Sequence, residues 1–292
     1  MKKILFLVLV IFAFLGYLSW QPFDSLRSLR VDQSSNSKVE PKRTILRIGL
    51  VADSHNENEL LGKALQQAQG MGINFVIGLG DYTNLGTVDE LMAAKSEFEK
   101  SKLEYFLIPG DRDGWESRNK GETEPVNFIE VFGPSNQIIE KEGVEFVLVD
   151  NSNLYKGISE EGWADLTSEL GDLSQKRLTF VFAHKTPFHP QSSHIMGEDS
   201  PEVAEQANEL MAILEGQRDR GTESIEEIKE QGVDGFFSGD IHFFASYQSP
   251  NKVVKITTIG AVASERNFQG PRFAILTVYD DYSWEVEDIE IR

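Results

Sequence analysis

Ile45-Leu46-Arg47-Ile48-Gly49-Leu50-Val51-Ala52-Asp53-Ser54-His55 decides how the rest of this chain is read. Ile45 to Val51 has the apolar content and length of a β-strand. It runs straight into a carboxylate and an imidazole two positions apart, which can turn the same way and grip one ion. The arrangement recurs along the chain. Ile73 to Leu79 leads into Gly80-Asp81, Tyr105 to Ile108 into Gly110-Asp111-Arg112-Asp113, Leu178 to Ala183 into His184, and Gly235 to Ser238 into Gly239-Asp240-Ile241-His242. A two-metal hydrolytic site requires this kind of delivery. Each ion takes several oxygen or nitrogen ligands, and no single turn supplies them all.

Between the first strands, Glu57 to Gln69 (closed by Gly70) and Val88 to Lys100 read as helices. This βαβαβ rhythm predicts a right-handed, largely parallel sheet, with ligands bound beyond the strand C-termini. After Gln137 the rhythm changes. Gln137 to Glu140 and Val144 to Val149 flank Lys141-Glu142-Gly143 as a hairpin, followed by a helix from Glu160 to Leu170. Lys185 to Ser200 is a long loop carrying His189 and His194. Helices are expected at Pro201 to Glu215 and Ser224 to Gln231. Strands are expected at Phe243 to Gln248, Val253 to Ile259, Phe273 to Tyr279 and Trp284 to Ile291. A parallel half and a more antiparallel half predict two sheets packed face to face, with helices outside.

The 292 residues fit one large domain or two small ones. With no cysteine there is no disulfide, thiolate ligand, thiol nucleophile or lipidated cysteine, so a metal must be held by Asp, Glu, His, Asn or backbone oxygen. The formal net charge of −19 serves solubility and disfavours binding to a nucleic-acid backbone.

Met1-Lys2-Lys3 precedes an apolar run from Ile4 to Trp20, at roughly 17 residues the lower limit for crossing a bilayer. Leu15-Gly16-Tyr17-Leu18-Ser19-Trp20 is a poor cleavage site, so residues 1–20 are expected to be an uncleaved membrane anchor. Secretion after cleavage is the alternative. Lys2 and Lys3 favour a cytoplasmic N-terminus against the opposing Arg27 and Arg30, which puts the following domain outside the cytoplasm. Polar, Ser-rich residues 21–43 read as a linker and 44–292 as the folded domain.

Taken singly, an Asp after a strand is ordinarily a cap or turn residue, and a lone His is structural or exposed. The argument is joint, because Gly-Asp pairs and three of the five histidines fall at predicted strand ends in one order. That order resembles the calcineurin-like metallophosphoesterase superfamily, whose pattern runs D-x-H, G-D, G-N-H-D/E, H, G-H-x-H. The resemblance covers about Leu46 to His242. It implies an α/β fold, specifically a four-layer α/β/β/α sandwich of two mixed sheets flanked by helices. It also implies a dinuclear site where a metal-bound hydroxide attacks a phosphate mono- or diester in line. By the resemblance, Asp53, His55 and His242 hold the first metal, Asp81 bridges, and Asp111, His184 and Asp240 complete the second.

Two positions depart from the pattern. The family's Asn-His is Asp111-Arg112 here, and the first His of its last motif is Asp240, as in the alkaline phosphatase D branch. Asp can replace Asn or His as a ligand. Arg112 can hold a phosphate oxygen in a two-pronged grip but cannot act as a general acid, and it is equally placed to pair with Asp113 or another nearby acid. His189 or His194 is then the candidate acid, with exposed loop histidines as the plain alternative. Asn84 and Arg118 are candidate substrate contacts, and Trp115 a candidate cleft wall. Asp53, Asp81, Asp111 and Asp240 make the ligand set richer in carboxylate than the family's, so Mn, Fe or Mg is favoured over Zn. A catalytically inactive metal-binding scaffold on the same fold is the rival function, and the Arg112 replacement is its support. A periplasmic sugar-binding protein would explain the βαβ rhythm but not the order of aspartates and histidines.

Overall fold

In β1 (Thr44–Val51) the last four residues are buried, so both faces of the strand are covered, as in the centre of a sheet. The computed structural model describes residues 42–170, 176–216 and 232–292. The expected anchor, nearly all of the linker and the helix expected from Ser224 to Gln231 lie outside the described residues. Among the described residues no helix is long and apolar enough to cross a membrane.

From β1 the chain passes through α1 (Asn58–Gly70), β2 (Phe75–Gly78), α2 (Val88–Ser101) and β3 (Glu104–Leu107). The start of α2 is fixed by a reciprocal cap. Thr87 Oγ1 accepts from the Glu90 amide, and the Glu90 carboxylate accepts from the Thr87 amide. Two short helices follow, α3 (Trp115–Asn119) and α4 (Val126–Phe132), then the hairpin β4 (Gln137–Lys141) and β5 (Val144–Val149). Next come α5 (Glu160–Glu169), β6 (Leu178–Ala183), α6 (Pro201–Leu214), β7 (Gly235–Ser238), β8 (Ala245–Gln248), β9 (Lys255–Thr258), β10 (Arg272–Tyr279) and β11 (Trp284–Glu290).

One sheet has the order β11-β10-β1-β2-β3, the other β4-β5-β6-β7-β9-β8. The parallel run β1–β3 and the more antiparallel remainder of the chain do not fall into separate sheets. β10 returns to the first sheet and pairs antiparallel with β1. The second sheet is parallel at its centre through β5, β6, β7 and β9, with β4 and β8 antiparallel at its edges. Both sheets are therefore mixed.

The sheets pack through an aromatic and aliphatic layer. Phe75 of β2 meets Phe146 of β5 edge-to-face at 5.4 Å, and Phe180 of β6 meets Trp284 of β11 at 5.1 Å. α1, α2 and α4 cover the outer face of the first sheet through Leu65, Phe98 and Phe128. α5 and α6 cover that of the second through Leu166 and Leu210. The result is the four-layer α/β/β/α sandwich, in which β1–β3 and β5–β7 present their C-terminal ends, with the residues that follow, at the functional site.

Candidate metal centre

Asp53 and His55 follow β1, Asp81 follows β2, Asp111 and Arg112 follow β3, His184 follows β6, and Asp240 and His242 follow β7. Backbone bonds tie these loops together. The Asp53 amide donates to Gly80 O, the His55 amide to Asp81 O and the Gly239 amide to His184 O, at 2.9, 3.0 and 3.0 Å. The Asp240 amide donates to both oxygens of Asp53, at 3.2 and 3.1 Å, which joins the two sheets at the site.

Asp53, His55, Asp81, Asp240 and His242 have φ of 54°, 42°, 55°, 66° and 64°. The left-handed region is costly for residues with a Cβ and is held only where the surroundings over-determine it, as happens at binding sites. Gly80, at φ 91°, is required by the close approach of two loops. A Cβ there would strike the backbone of Gly110, and a Cβ on Gly110 would strike the Asp81 carboxylate and amide. The two glycines let the loops after β2 and β3 touch.

Asp113 completes that junction. Its buried carboxylate accepts from the amides of Tyr82, Thr83 and Gly110 and from Thr83 Oγ1, at 3.3, 3.0, 2.9 and 2.8 Å. Burial pushes its pKa up to about 6 against these bonds. It does not pair with Arg112, whose Nε is 3.9 Å from Asp111 Oδ2 and whose guanidinium lies 5.3 Å from the Trp115 ring centroid.

All the expected ligands converge. Ligand atoms of Asp53, His55 and His242 lie within 4.8 Å of one another, as do those of Asp53, Asp81 and His184, and those of Asp111, His184 and Asp240. The Asp81 oxygens face opposite ways: Oδ2 is 3.8 Å from His55 Nε2 and Oδ1 is 3.5 Å from His184 Nε2. His55 Nε2 and His242 Nε2 are 3.0 Å apart.

His184 tests whether such a set fits cations. Its Nδ1 donates to Leu79 O at 2.7 Å, which leaves Nε2 as the acceptor of the neutral ring. That Nε2 is buried without a hydrogen-bond partner. It faces oxygens of Asp81, Asp111 and Asp240 at 3.5, 3.5 and 3.7 Å. Acceptors facing acceptors in a buried site need a cation or a proton between them. Burial opposes charge on His184, but Asp81, Asp111, Asp240 and Asp53 push its pKa well above the usual value. Burial, reinforced by Asp111, Asp113 and Asp53, raises Asp81. Burial, together with His242, His184 and Arg112, lowers His55 to about 4. With its convergent carboxylates and an unpartnered imidazole nitrogen, the set fits a cation.

A cavity of about 510 Å³ opens over this cluster, walled by Arg112, Trp115, Leu154, Lys185, His194 and Arg266. His194 is at the site, its Nε2 3.3 Å from Asp240 Oδ1 and its Nδ1 2.5 Å from Glu198 Oε1. His189 does not line the cavity. Its Nδ1 accepts from the amides of Gln191 and Ser192, at 3.2 and 2.9 Å, and its ring packs on Tyr247 at 4.7 Å. It organises its own loop, away from the cavity wall where a catalytic candidate is expected. Arg118 donates to Asp111 O at 2.6 Å and props that loop. Asn84 donates to His55 O at 3.3 Å and lines a smaller adjoining cavity. Lys185, Glu198 and Arg266 were not foreseen. Lys185 had a signal in the sequence, being a lysine close behind a largely apolar strand, beside a candidate ligand.

Two mixed sheets between helices, carrying a buried Asp/His cluster beyond their strand ends, define a class of fold and centre able to hold cations. The chain belongs to the calcineurin-like phosphoesterase superfamily, whose domain model matches residues 46–281. Membership supports a hydrolase of phosphoesters and implies divalent metal ions. Among curated proteins none matches the sequence. A purple acid phosphatase from seeds of yellow lupin (Lupinus luteus) has a similar fold, with TM-score 0.58, 12% identity, and coverage of 85% of this chain and 52% of that one. This chain thus spans about half the length of the lupin protein. TT1561 of Thermus thermophilus is also similar, with TM-score 0.52, 12% identity, and coverage of 85% and 100%.

Proposed function

We propose that the protein is a metal-dependent phosphoesterase that hydrolyses a phosphate mono- or diester at a dinuclear centre. The observation that carries the reading is the buried, unpartnered His184 Nε2 facing three carboxylates. Asp53, His55 and His242 would hold one ion, Asp111, His184 and Asp240 the other, with Asp81 shared through its two oxygens. The carboxylate-rich set favours Mn, Fe or Mg over Zn. Bound ions would supply Lewis-acid polarisation of the phosphoryl group and activation of a water.

The remaining work falls to the cavity wall. Arg112 reaches the cavity from above the centre and would grip a phosphate oxygen, with Trp115 steadying its guanidinium. His194 is the candidate donor to the leaving group. Its hydrogen bond to Asp240 pushes its pKa up to about 9, so it carries a proton near neutrality. Arg112→Lys keeps the charge and loses the fork. It is expected to lower kcat/KM about tenfold, ~1.4 kcal/mol of transition-state stabilisation. Steady-state kinetics check this, and a change under about twofold would leave Arg112 without a catalytic role.

The experiment for the activity itself is a panel of aryl phosphate monoesters and diesters, turned over by metal-stripped and metal-reloaded protein. Metal-dependent hydrolysis supports the phosphoesterase. Metal binding with no rate on any ester would favour the scaffold reading that the Arg112 replacement raises.

The apolar segment at residues 1–20 supports a membrane-anchored protein with its catalytic domain outside the cytoplasm. Fractionation of the exporting host is expected to recover full-length chain in the membrane. A soluble, N-terminally shortened chain would contradict the anchor.

A further inference from the structure

Lys185 is 3% exposed, and its ammonium points into the metal centre. Its backbone is clamped on both sides by buried Asn151, which accepts from the Lys185 amide at 3.0 Å and donates to Lys185 O at 2.7 Å. Its Nζ stands 3.1 Å from each oxygen of Asp240 and 3.3 Å from Glu198 Oε1. A second cation approaches the same side of the centre, Arg112 Nε lying 3.9 Å from Asp111 Oδ2. The other side differs. Among the described residues no lysine or arginine pairs with Asp53, whose carboxylate meets His242 and the Asp240 amide.

We propose that Lys185 is a built-in monovalent counter-ion that shares Asp240 with the Asp111–His184–Asp240 locus, so that the centre binds one divalent ion tightly and the second weakly. The inference rests on the dinuclear reading above. An ion bonded to Asp240 at ~2–2.5 Å would sit within a few ångströms of a fixed ammonium. The two positive charges repel, and both draw on one carboxylate. The ammonium is confined, because the residue is buried and Asp240 and Glu198 both hold its tip. At the Asp53–His55–His242 locus no lysine or arginine is paired with the carboxylate among the described residues. The weakly held ion is therefore the exchangeable one, and occupancy of its locus follows the metal supply.

The test is a Mn²⁺ titration of metal-stripped full-length chain by calorimetry, with electron paramagnetic resonance to separate single from spin-coupled Mn²⁺. The wild type is expected to bind one Mn²⁺ at least tenfold more tightly than a second. Lys185→Met keeps the stem and removes the charge. It should tighten the second site at least fivefold, leave the first unchanged, and bring the spin-coupled signal in at lower Mn²⁺. Two equally tight sites in the wild type would overturn the proposal while leaving the dinuclear reading intact. An unchanged second site in a folded Lys185→Met would do the same. No binding at all would overturn both. Should Lys185→Met fail to fold, the wild-type ratio alone decides.

Discussion

Asp81→Asn is expected to reduce turnover by at least ~10³-fold, about 4 kcal/mol of activation free energy, and to strip at least one ion from the chain. The amide fits the space of the carboxylate, so the fold should persist. Its orientation is dictated locally. Asp81 Oδ1 accepts from the Arg112 amide at 2.8 Å, which keeps the amide oxygen on that side. The NH₂ then points where Oδ2 now stands, towards His55 Nε2 at 3.8 Å. A donor without charge replaces an anionic acceptor between two candidate loci, and a bridge cannot survive that exchange. Elemental analysis alongside kcat checks the expectation. Full metal content with retained activity would show that Asp81 is not shared.

Removal of the metal should lower the melting temperature by roughly 8–16 °C. A ligand at a thousandfold over its Kd stabilises by ~4 kcal/mol, and a domain of this size shifts ~2–4 °C per kcal/mol. The metal-free site is poorly balanced, because buried Asp53, Asp81 and Asp240 crowd around His184 together with Asp111. The effect has a pH sign. Burial opposes charge on His184, but the surrounding aspartates raise its pKa well above 6.5. In the metal-free chain its stabilising contribution is fully present below pH 6.5 and is lost as pH rises through the raised folded value. A metal needs the same Nε2 unprotonated. The difference in melting temperature between loaded and stripped protein should therefore widen from about pH 6 to about pH 8. Scanning calorimetry at both pH values checks it, and a difference that narrows would exclude His184 from the ligand set.

Much of this was legible in the residues. β6 runs over Leu178–Ala183 as expected, and the hairpin turns at Glu142-Gly143. Strand ends are readable because an apolar run that stops at Asp or His changes character within one residue. α3 and α4 escaped notice because five and seven residues are too few to show a helical period. The pairing of β10 with β1 was hidden for another reason. Alternation describes a strand's faces and carries no record of a distant partner. His189 and His194 share one polar loop, and nothing in their neighbours separates them. The path of that loop sends one ring onto Tyr247 and the other onto Asp240. Lys185 follows an apolar strand, yet only the closed fold buries its ammonium.

The pairing of β1 with β10 has a consequence for how the protein is made. Among the described elements β1 is the first to leave the ribosome, and β10 is the last but one. Until β10 arrives, β1 stands as an open edge of apolar backbone, the kind of surface that recruits other chains. The strand that leads into Asp53 and His55 is paired on both sides only once β10 has emerged. A nascent chain stalled short of Arg272 should be a client for chaperones, and its donors cannot be loaded one sheet at a time, because Asp53 meets Asp240 only where the two sheets come together.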